Sequence, residues 1–553
     1  MTVTEDAPAA AVAATEPPAA APAPQGLAAI LGSGDHKVVG RLWIVAALLH
    51  LALAGAAVLA VAAEKMDLGG VDVIADDLFG PLVAYRSLAA AFLFLMPALI
   101  GLATIVVPLQ VGASTLAFPR AAGAAAWTYL LGSGVMVGSL LIDGGLYGAD
   151  RDGVELFIAA FVLVLAALAV GWVTIATTVI SLRVPGLSLA RLPLFSWANL
   201  VAATVWLIQL PVLAAVAILA FLDVRYGGDG GLFGGGPAAV YTRLSWVFGT
   251  PGVYAFAIPV LGVIGSVVPV FAQTRHQKHR IAQGLIAAFG ALSVGAWTVA
   301  AYAVGDASTD WFPFLYEGPW VVVSFAILLP LLGLLGLWAL TIVKGKISLG
   351  SPLLYGLVAG LVLLLGLVAG AVQAIEPLET LVDEGATPLW GTAWSSGVAA
   401  LVLLSGAIAL FGGLVYWAPK VLGRQLPDAP AKLLALVLLA GAVVTAVPEL
   451  VAGLMGQPAG FGMGLAENVS TVEALNTVSL VGGAIVGLAV LGLVGLVAAA
   501  ARSTETPGDD PWNGHTLEWA TSSPPPYGNF ASLPEVTSEA PLYDARHREE
   551  ATA

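Results

Sequence analysis

The chain contains twelve apolar segments of about 20 or more residues, each with few or no charged side chains. A helix rises about 1.5 Å per residue, so about 20 apolar residues are enough to cross a hydrocarbon core about 30 Å thick. The composition agrees: 59% of the residues are hydrophobic and 10% are Asp, Glu, Lys or Arg, against roughly 25% charged residues in soluble domains. The sequence therefore predicts an all-α integral membrane protein and excludes a soluble globular enzyme.

The positions of Lys and Arg predict the orientation of these segments. With the N-terminus on the cytoplasmic side, fourteen Lys and Arg residues fall near the cytoplasmic helix ends and five near the outer ends. Because cytoplasmic loops retain positive charge, we expect a multi-pass protein of the cell membrane with both termini cytoplasmic. The predicted transmembrane helices cover about residues 42–63, 85–110, 123–145, 154–180, 197–222, 252–272, 281–304, 319–342, 353–373, 392–416, 433–455 and 475–500.

Polar segments flank this predicted membrane domain, which covers residues 35–502. Residues 1–34 are rich in Ala and Pro and lack the basic n-region of a signal peptide, so they predict a disordered tail. Residues 503–553 are rich in Pro, Ser, Thr, Glu and Asp and predict a polar tail on the cytoplasmic surface. The net charge is −14, and no basic stripe offers a surface for nucleic acid.

The chain has no cysteine and six histidines. The lack of cysteine excludes disulfides, thiolate zinc sites, iron–sulfur clusters and a cysteine-ligated copper within this chain. His50 lies inside a predicted helix, and we interpret it as a packed or hydrogen-bonded side chain. His276 and His279 share one helical face and could hold a divalent ion, but the Arg and Lys residues around them favour a solvated basic loop.

Residues Phe92 to Arg120 read FLFLMPALIGLATIVVPLQVGASTLAFPR. This stretch closely resembles the second helix of subunit I of the haem-copper oxidases, the catalytic subunit of cytochrome c oxidase. Further motifs follow in the family's order, among them DHK from Asp35, WAPKVLG from Trp417 and TLEWATSSPPPYGNF from Thr516. The resemblance covers residues 35 to about 530, and it implies the twelve-helix fold of that subunit.

In that family six histidine imidazoles bind two haems and copper. At the positions of this chain that the resemblance matches to them, no residue is a histidine. The low-spin haem position on the second helix, ten residues before Met96-Pro97, is Arg86. The stretch 394–404 of the tenth helix, where the family has further haem ligands, contains no His. The copper-ligand positions of the sixth and seventh helices read Thr250, Val299 and Ala300.

The residues that support these cofactors in the family are replaced as well. The arginine pair that holds haem propionates reads Ala459 and Gly460, and two proton-pathway positions read Gly252 and Leu334. Tyr254 is the retained match to the active-site tyrosine. Because the His to which that tyrosine is covalently joined is absent, we interpret Tyr254 as a core aromatic with a hydrogen-bonded hydroxyl.

These replacements predict a redox-silent, subunit I-like component of a membrane respiratory complex, with no cofactor and a structural or regulatory role. The resemblance implies subunit II-like and subunit III-like membrane proteins as partners within the lipid bilayer. One alternative is an active terminal oxidase that couples electron transfer and oxygen reduction to proton translocation through unconventional ligands. A second is an ion or small-molecule conduit through the vacated cavities, along Thr250, Ser266, Tyr254 and Thr298.

Two structural expectations follow for the vacated haem and copper sites. We expect Arg86 to fill the haem cavity in an ion pair with Asp76 or Asp77. The many small residues, including 65 Gly, would let helices pack closely where porphyrins separate them in the family.

Overall fold

The computed structural model describes residues 32–64, 74–227, 243–299, 312–375, 389–459, 469–504 and 506–552. Within these ranges, twelve helices are long and apolar enough to cross a membrane, which confirms the predicted number. They are α1 His36–Glu64, α2 Leu78–Gln110, α3 Pro119–Ile142, α4 Arg151–Ser181, α5 Leu194–Tyr226, α6 Gly252–Phe271, α7 His279–Thr298, α8 Gly318–Lys344, α9 Ser351–Gln373, α10 Ala393–Leu422, α11 Asp428–Leu454 and α12 Ser470–Arg502.

Helices that follow one another in the chain pack side by side, as in α3 with α4, α9 with α10, and α11 with α12. Small residues bring some helix pairs into backbone contact. At the crossing of α1 and α2, a Cβ on Gly101 would lie 2.8 Å from the carbonyl oxygen of Gly40. A larger side chain at Gly101 would therefore force these two helices apart.

Burial separates the central helices from the peripheral ones. Every residue in the apolar window of α6 is buried, and so are 94% of those in α2. In α12 the share is 17%, and in α1, α8 and α11 it is 33%. The centre of the bundle is therefore built around α2 and α6, while α12 exposes most of its apolar surface, as expected for a helix that faces lipid.

The C-terminal tail folds back over one end of the bundle, where α1 begins and α2 and α10 end. We call residues 509–544 the strap; its last residues enter a short helix, α13, at Pro541–Thr552. The predicted N-terminal tail, 1–34, lies outside the described residues except for its last three positions. The membrane helices occupy 36–502, within the predicted membrane domain.

Candidate functional site

An aromatic cluster fills the centre of the bundle. Phe92 of α2 makes edge-on contacts with aromatic rings from α4, α5 and the entry to α6, with centroid distances of 5.6–6.2 Å. Edge-to-face pairs of this kind are the favoured geometry for buried aromatic rings. Aromatic rings therefore occupy the space between α2, which carries the predicted low-spin haem position, and the start of α6. The central cluster consists of Phe92, Phe161, Trp206, Phe248 and Phe256.

The predicted copper-ligand positions present no metal donor in the described part of the chain. Thr250 is buried, and its Oγ1 accepts a hydrogen bond of 3.0 Å from Nε1 of Trp320 on α8. Val299 is a half-buried aliphatic side chain packed against the core. Ala300 lies outside the described residues. Nothing local in the sequence signals the Trp320 contact, because 70 residues separate the two partners.

The predicted proton-pathway positions lie in tightly packed apolar surroundings. Gly252 is in backbone contact with Gly295 at the end of α7, since a Cβ on Gly295 would overlap the Cα of Gly252. The amide of Gly295 donates to Oε1 of Gln209 at 2.9 Å, which fixes this approach. Leu334 is fully buried in the hydrophobic core. Small residues thus allow the start of α6 to approach the end of α7 closely.

Tyr254 is fully buried, as expected for a core aromatic. The expected hydrogen bond is absent: within the described residues its hydroxyl has no partner. The hydroxyl instead fits against Gly370 of α9, where a Cβ would overlap it. Thr250 lies beside the same glycine, with its Cγ2 3.2 Å from the position of that Cβ. The structure thus brings Thr250 and Tyr254 together against α9.

Arg86 is half-buried and lies just before a π-helical segment of α2, Ala89–Leu95. Among the side chains that the structure describes, Arg86 forms no ion pair. The predicted partners Asp76 and Asp77 have side chains outside that description, so this pairing stays a prediction. The π-helical segment was not foreseen, and the hydroxyl of Tyr129 donates to its Leu93 carbonyl at 2.5 Å.

Backbone contacts close the region of the predicted propionate clamp. The amide of Ala459 donates to the carbonyl of Gly391 at 3.0 Å, and the amide of Ala393 donates to the carbonyl of Gln457 at 2.7 Å. These bonds join the segment before α10 to the segment after α11. Gly460 lies outside the described residues. Neither segment offers a cation in place of the family's arginine pair at the described positions 457–459.

The histidines do not assemble a metal site. No group of three or more His, Asp or Glu in the described chain could hold an ion. His50 is buried, with its ring 5.9 Å from that of Tyr129, and its Nδ1 has no partner among the described residues. The solvated loop expected for His276 and His279 is wrong, because His276 is buried and Nε2 of His279 lies 2.9 Å from the Leu192 carbonyl.

The residues present therefore do not fit the family's cofactors. Haem iron and copper are bound through imidazole or comparable donors. The described counterparts here are Arg86, whose guanidinium has no lone pair to offer a metal, a threonine engaged by Trp320, a valine, and the stretch 394–404 of α10, which contains no His. Apolar rings and glycine contacts occupy the surrounding space. No chemical step through haem or copper can be derived from these side chains.

A second polar region lies where the strap meets the bundle. Oε1 of Glu518 accepts hydrogen bonds from Nε2 of Gln110 at 2.9 Å and from Nε1 of Trp417 at 3.3 Å. Oε1 of Gln110 in turn accepts from the hydroxyl of Ser196 at 2.7 Å. The ammonium of Lys420 donates to the carbonyl of Thr521 in the strap. The strap is thereby joined directly to α2 and α10 and, through Gln110, to α5.

Asn529 ties the strap to the start of α1. Its Oδ1 lies 2.9 Å from Nε2 of His36 and accepts from Nζ of Lys37 at 3.1 Å, and its Nδ2 donates to the Ala113 carbonyl at 2.7 Å. The other ring nitrogen of His36 lies 3.0 Å from the carbonyl oxygen of Thr104. The motifs DHK, WAPK and TLEW…NF therefore meet at one place. Sequence reasoning used them only as signs of resemblance and missed these contacts.

Comparison with known proteins identifies the family. A sequence profile described as "Cytochrome C and Quinol oxidase polypeptide I" matches residues 38–485. The chain belongs to this family. Among its relatives, a putative cytochrome c oxidase subunit 1-beta of Streptomyces avermitilis is 30% identical over 94% of this chain and 92% of the relative. A cytochrome c oxidase subunit 1 of Corynebacterium glutamicum is 28% identical over 93% of this chain and 88% of the relative.

A solved structure has the same fold. It is a haem-copper terminal oxidase dimer determined by cryo-electron microscopy, with a TM-score of 0.66, 14% identity and 85% of each chain covered. The family assignment confirms the resemblance drawn from the motifs, and the likeness in structure confirms the expected fold. The protein is a multi-pass membrane protein of the cytochrome c oxidase subunit I type, a family whose members work in complexes with other subunits.

Proposed function

We propose that this protein is a redox-silent subunit I of a membrane respiratory complex of the cytochrome c oxidase type, with a structural or regulatory role. The observation that carries the proposal is the donor set: the described counterparts of the metal ligands are Arg86, Thr250, Val299 and the stretch 394–404 of α10, which contains no His. Removing axial ligands while leaving haem propionates without cations would make cofactor binding unfavourable in a low-dielectric interior.

The proposal includes the protein's surroundings. We place it in the cell membrane with both termini cytoplasmic, beside subunit II-like and subunit III-like proteins. Relatives named cytochrome c oxidase subunit 1-alpha and subunit 1-beta occur together in Streptomyces avermitilis. Where an organism has more than one subunit I-like chain, one of them can retain the surfaces for assembly while another carries out the redox reaction.

The hydrogen bonds of the four hydroxyl groups do not support an ion or small-molecule conduit. Thr250 is engaged by Trp320, and the hydroxyl of Thr298 donates to the Gly295 carbonyl one turn earlier in its own helix. The hydroxyls of Tyr254 and Ser266 are buried without a partner among the described residues. These four groups therefore form no hydrogen-bonded chain, and a conduit along them has no support.

A haem spectrum tests redox silence. The chain and the Corynebacterium glutamicum subunit 1 would be expressed in the same actinobacterial host, purified in the same detergent, and compared by reduced-minus-oxidised spectra and by copper and iron analysis. We expect a haem α-band and bound metal in the relative and neither in this chain. Stoichiometric haem with an ordinary α-band would contradict the proposal and favour the active oxidase.

The orientation is tested separately, because a chain without cysteine accepts single-cysteine reporters. Ser532→Cys lies exposed in the strap, and Asp143→Cys lies exposed in the loop after α3. With a membrane-impermeant maleimide, we expect Ser532→Cys to react only in inside-out vesicles and Asp143→Cys only in right-side-out vesicles. The reverse pattern would overturn the proposed topology while leaving the haem test unaffected.

A further inference from the structure

Glu518 is a buried carboxyl at the junction between the strap and the bundle. Its side chain is fully inaccessible to solvent. Oε1 accepts from Gln110 and Trp417, whereas Oε2 is buried with no hydrogen-bond partner in the described part of the chain. A carboxylate normally satisfies both oxygens, and leaving a charged oxygen unpaired in the interior is costly. A neutral carboxyl suits this site better than a charged one.

The charged groups around Glu518 do not change this conclusion. Lys420 of α10 lies in electrostatic range of Glu518, but its ammonium donates to the Thr521 carbonyl and lies 5.5 Å from the centroid of the Trp519 ring. Asp509 and Asp510 of the strap also lie within electrostatic range of Lys420. Because both are acidic, they compete with Glu518 for the positive charge of Lys420.

The remaining elements at this junction supply little positive charge. Arg546 of α13 is engaged by Asp510 at 3.2 Å. On α1, Lys37 is engaged by Asp35 and Asn529. Gln110 of α2, Trp417 and Tyr416 of α10 and, behind Gln110, Ser196 of α5 are neutral. None of these groups places a cation on Oε2 of Glu518.

We propose that Glu518 makes the strap a pH-sensitive latch: the neutral carboxyl holds the strap on the ends of α2 and α10, and loss of its proton releases it. The latch needs no cofactor, so the test of the latch is independent of the test of redox silence. It gives the chain a regulatory element that responds to pH on the face covered by the strap.

Burial raises the pKa of Glu518 above its ordinary value near 4.5. The docked strap therefore binds a proton that the released strap gives up at neutral pH. The free energy of docking from this proton is fully present below the ordinary pKa and is lost as pH rises through the raised pKa of the buried carboxyl. The strap is expected to dock at acidic pH and to release toward alkaline pH.

Cysteine labelling tests the latch in the full-length protein in nanodiscs. Leu517→Cys reports release, because Leu517 is buried beside Glu518, and Ser532→Cys is the exposed reference that corrects for thiol ionisation. We expect the labelling of Leu517→Cys by maleimide, divided by that of Ser532→Cys, to rise at least about tenfold between about pH 6 and pH 9. In a Glu518→Gln background, which keeps a neutral group of the same shape, labelling should stay low throughout.

Three results would overturn the latch. One is a pH-independent ratio with Glu518 present, and another is the same pH profile in Glu518→Gln. The third is rapid labelling of Glu518→Gln at every pH, which would mean that attraction between the carboxylate and Lys420 holds the strap. The midpoint of thermal unfolding of each variant at about pH 6 shows whether the bundle itself is intact.

Discussion

The centre of the bundle and its strap-covered end are stabilised by different kinds of interaction. In the centre, Phe92 and its aromatic neighbours pack by shape, and glycines such as Gly370 allow side chains to approach helix backbones. At the strap, Glu518 and Asn529 bind the helix ends through buried hydrogen bonds. The strap-covered end retains sequence motifs of the family, whereas the predicted cofactor positions carry other residues than the family's ligands. We expect the replacements at the predicted cofactor positions to be compatible with an intact fold, because aromatic side chains fill the centre and the strap covers the end.

Phe92→Ala gives the largest expected effect, because it removes the ring on which the central cluster converges. Truncation of a fully buried Phe costs about 3–5 kcal/mol, so the midpoint of thermal unfolding in detergent should fall markedly. Phe325→Ala on α8 is the matched control, since Phe325 is exposed on the surface of the bundle, and it should change the midpoint little. Equal effects for the two variants would show that the centre is loosely packed.

The twelve helices could be predicted because each depends on a continuous apolar run that is local in sequence. The strap could not, since His36 and Asn529 are 493 residues apart and nothing local signals their contact. The central contacts escaped for the same reason, as with Trp320 and Thr250. The sequence also led to a solvated loop at His276, because the basic residues around it are visible in the sequence and its burial is not.

Asn529→Gly tests whether hydrogen bonds hold the strap on the bundle, in contrast to the centre, which packs by shape. Glycine keeps the left-handed backbone at this position, φ +71°, while it removes the contacts to His36, Lys37 and Ala113. We expect a loss of about 2–4 kcal/mol from the docking of the strap, measured as faster labelling of Leu517→Cys at about pH 6. Asn513→Gly is the control, because Asn513 has a similar φ of +54° and is exposed.

Gly370→Ala has the smallest expected effect and tests whether the centre is packed by shape. The added methyl group would overlap the hydroxyl of Tyr254, and such overpacking costs about 1–3 kcal/mol. In a Tyr254→Phe background the oxygen is absent, so much of the loss in thermal stability should be recovered. Gly336→Ala, which faces open space, should be nearly neutral. A loss that Tyr254→Phe does not reduce would place the strain elsewhere.

The π-helical segment at Ala89–Leu95 affects how this chain is compared with its relatives. A π-helix closes its hydrogen bonds five residues apart instead of four, so residues before Ala89 are rotated around the axis of α2 relative to those after Met96. Counting ten residues back from Met96-Pro97 gives Arg86, but ten purely α-helical residues would end on another face. In Arg86→His the imidazole would therefore point in a different direction from one at the end of a purely α-helical segment of the same length, so a haem site rebuilt in this chain would have to be designed on the π-helical geometry.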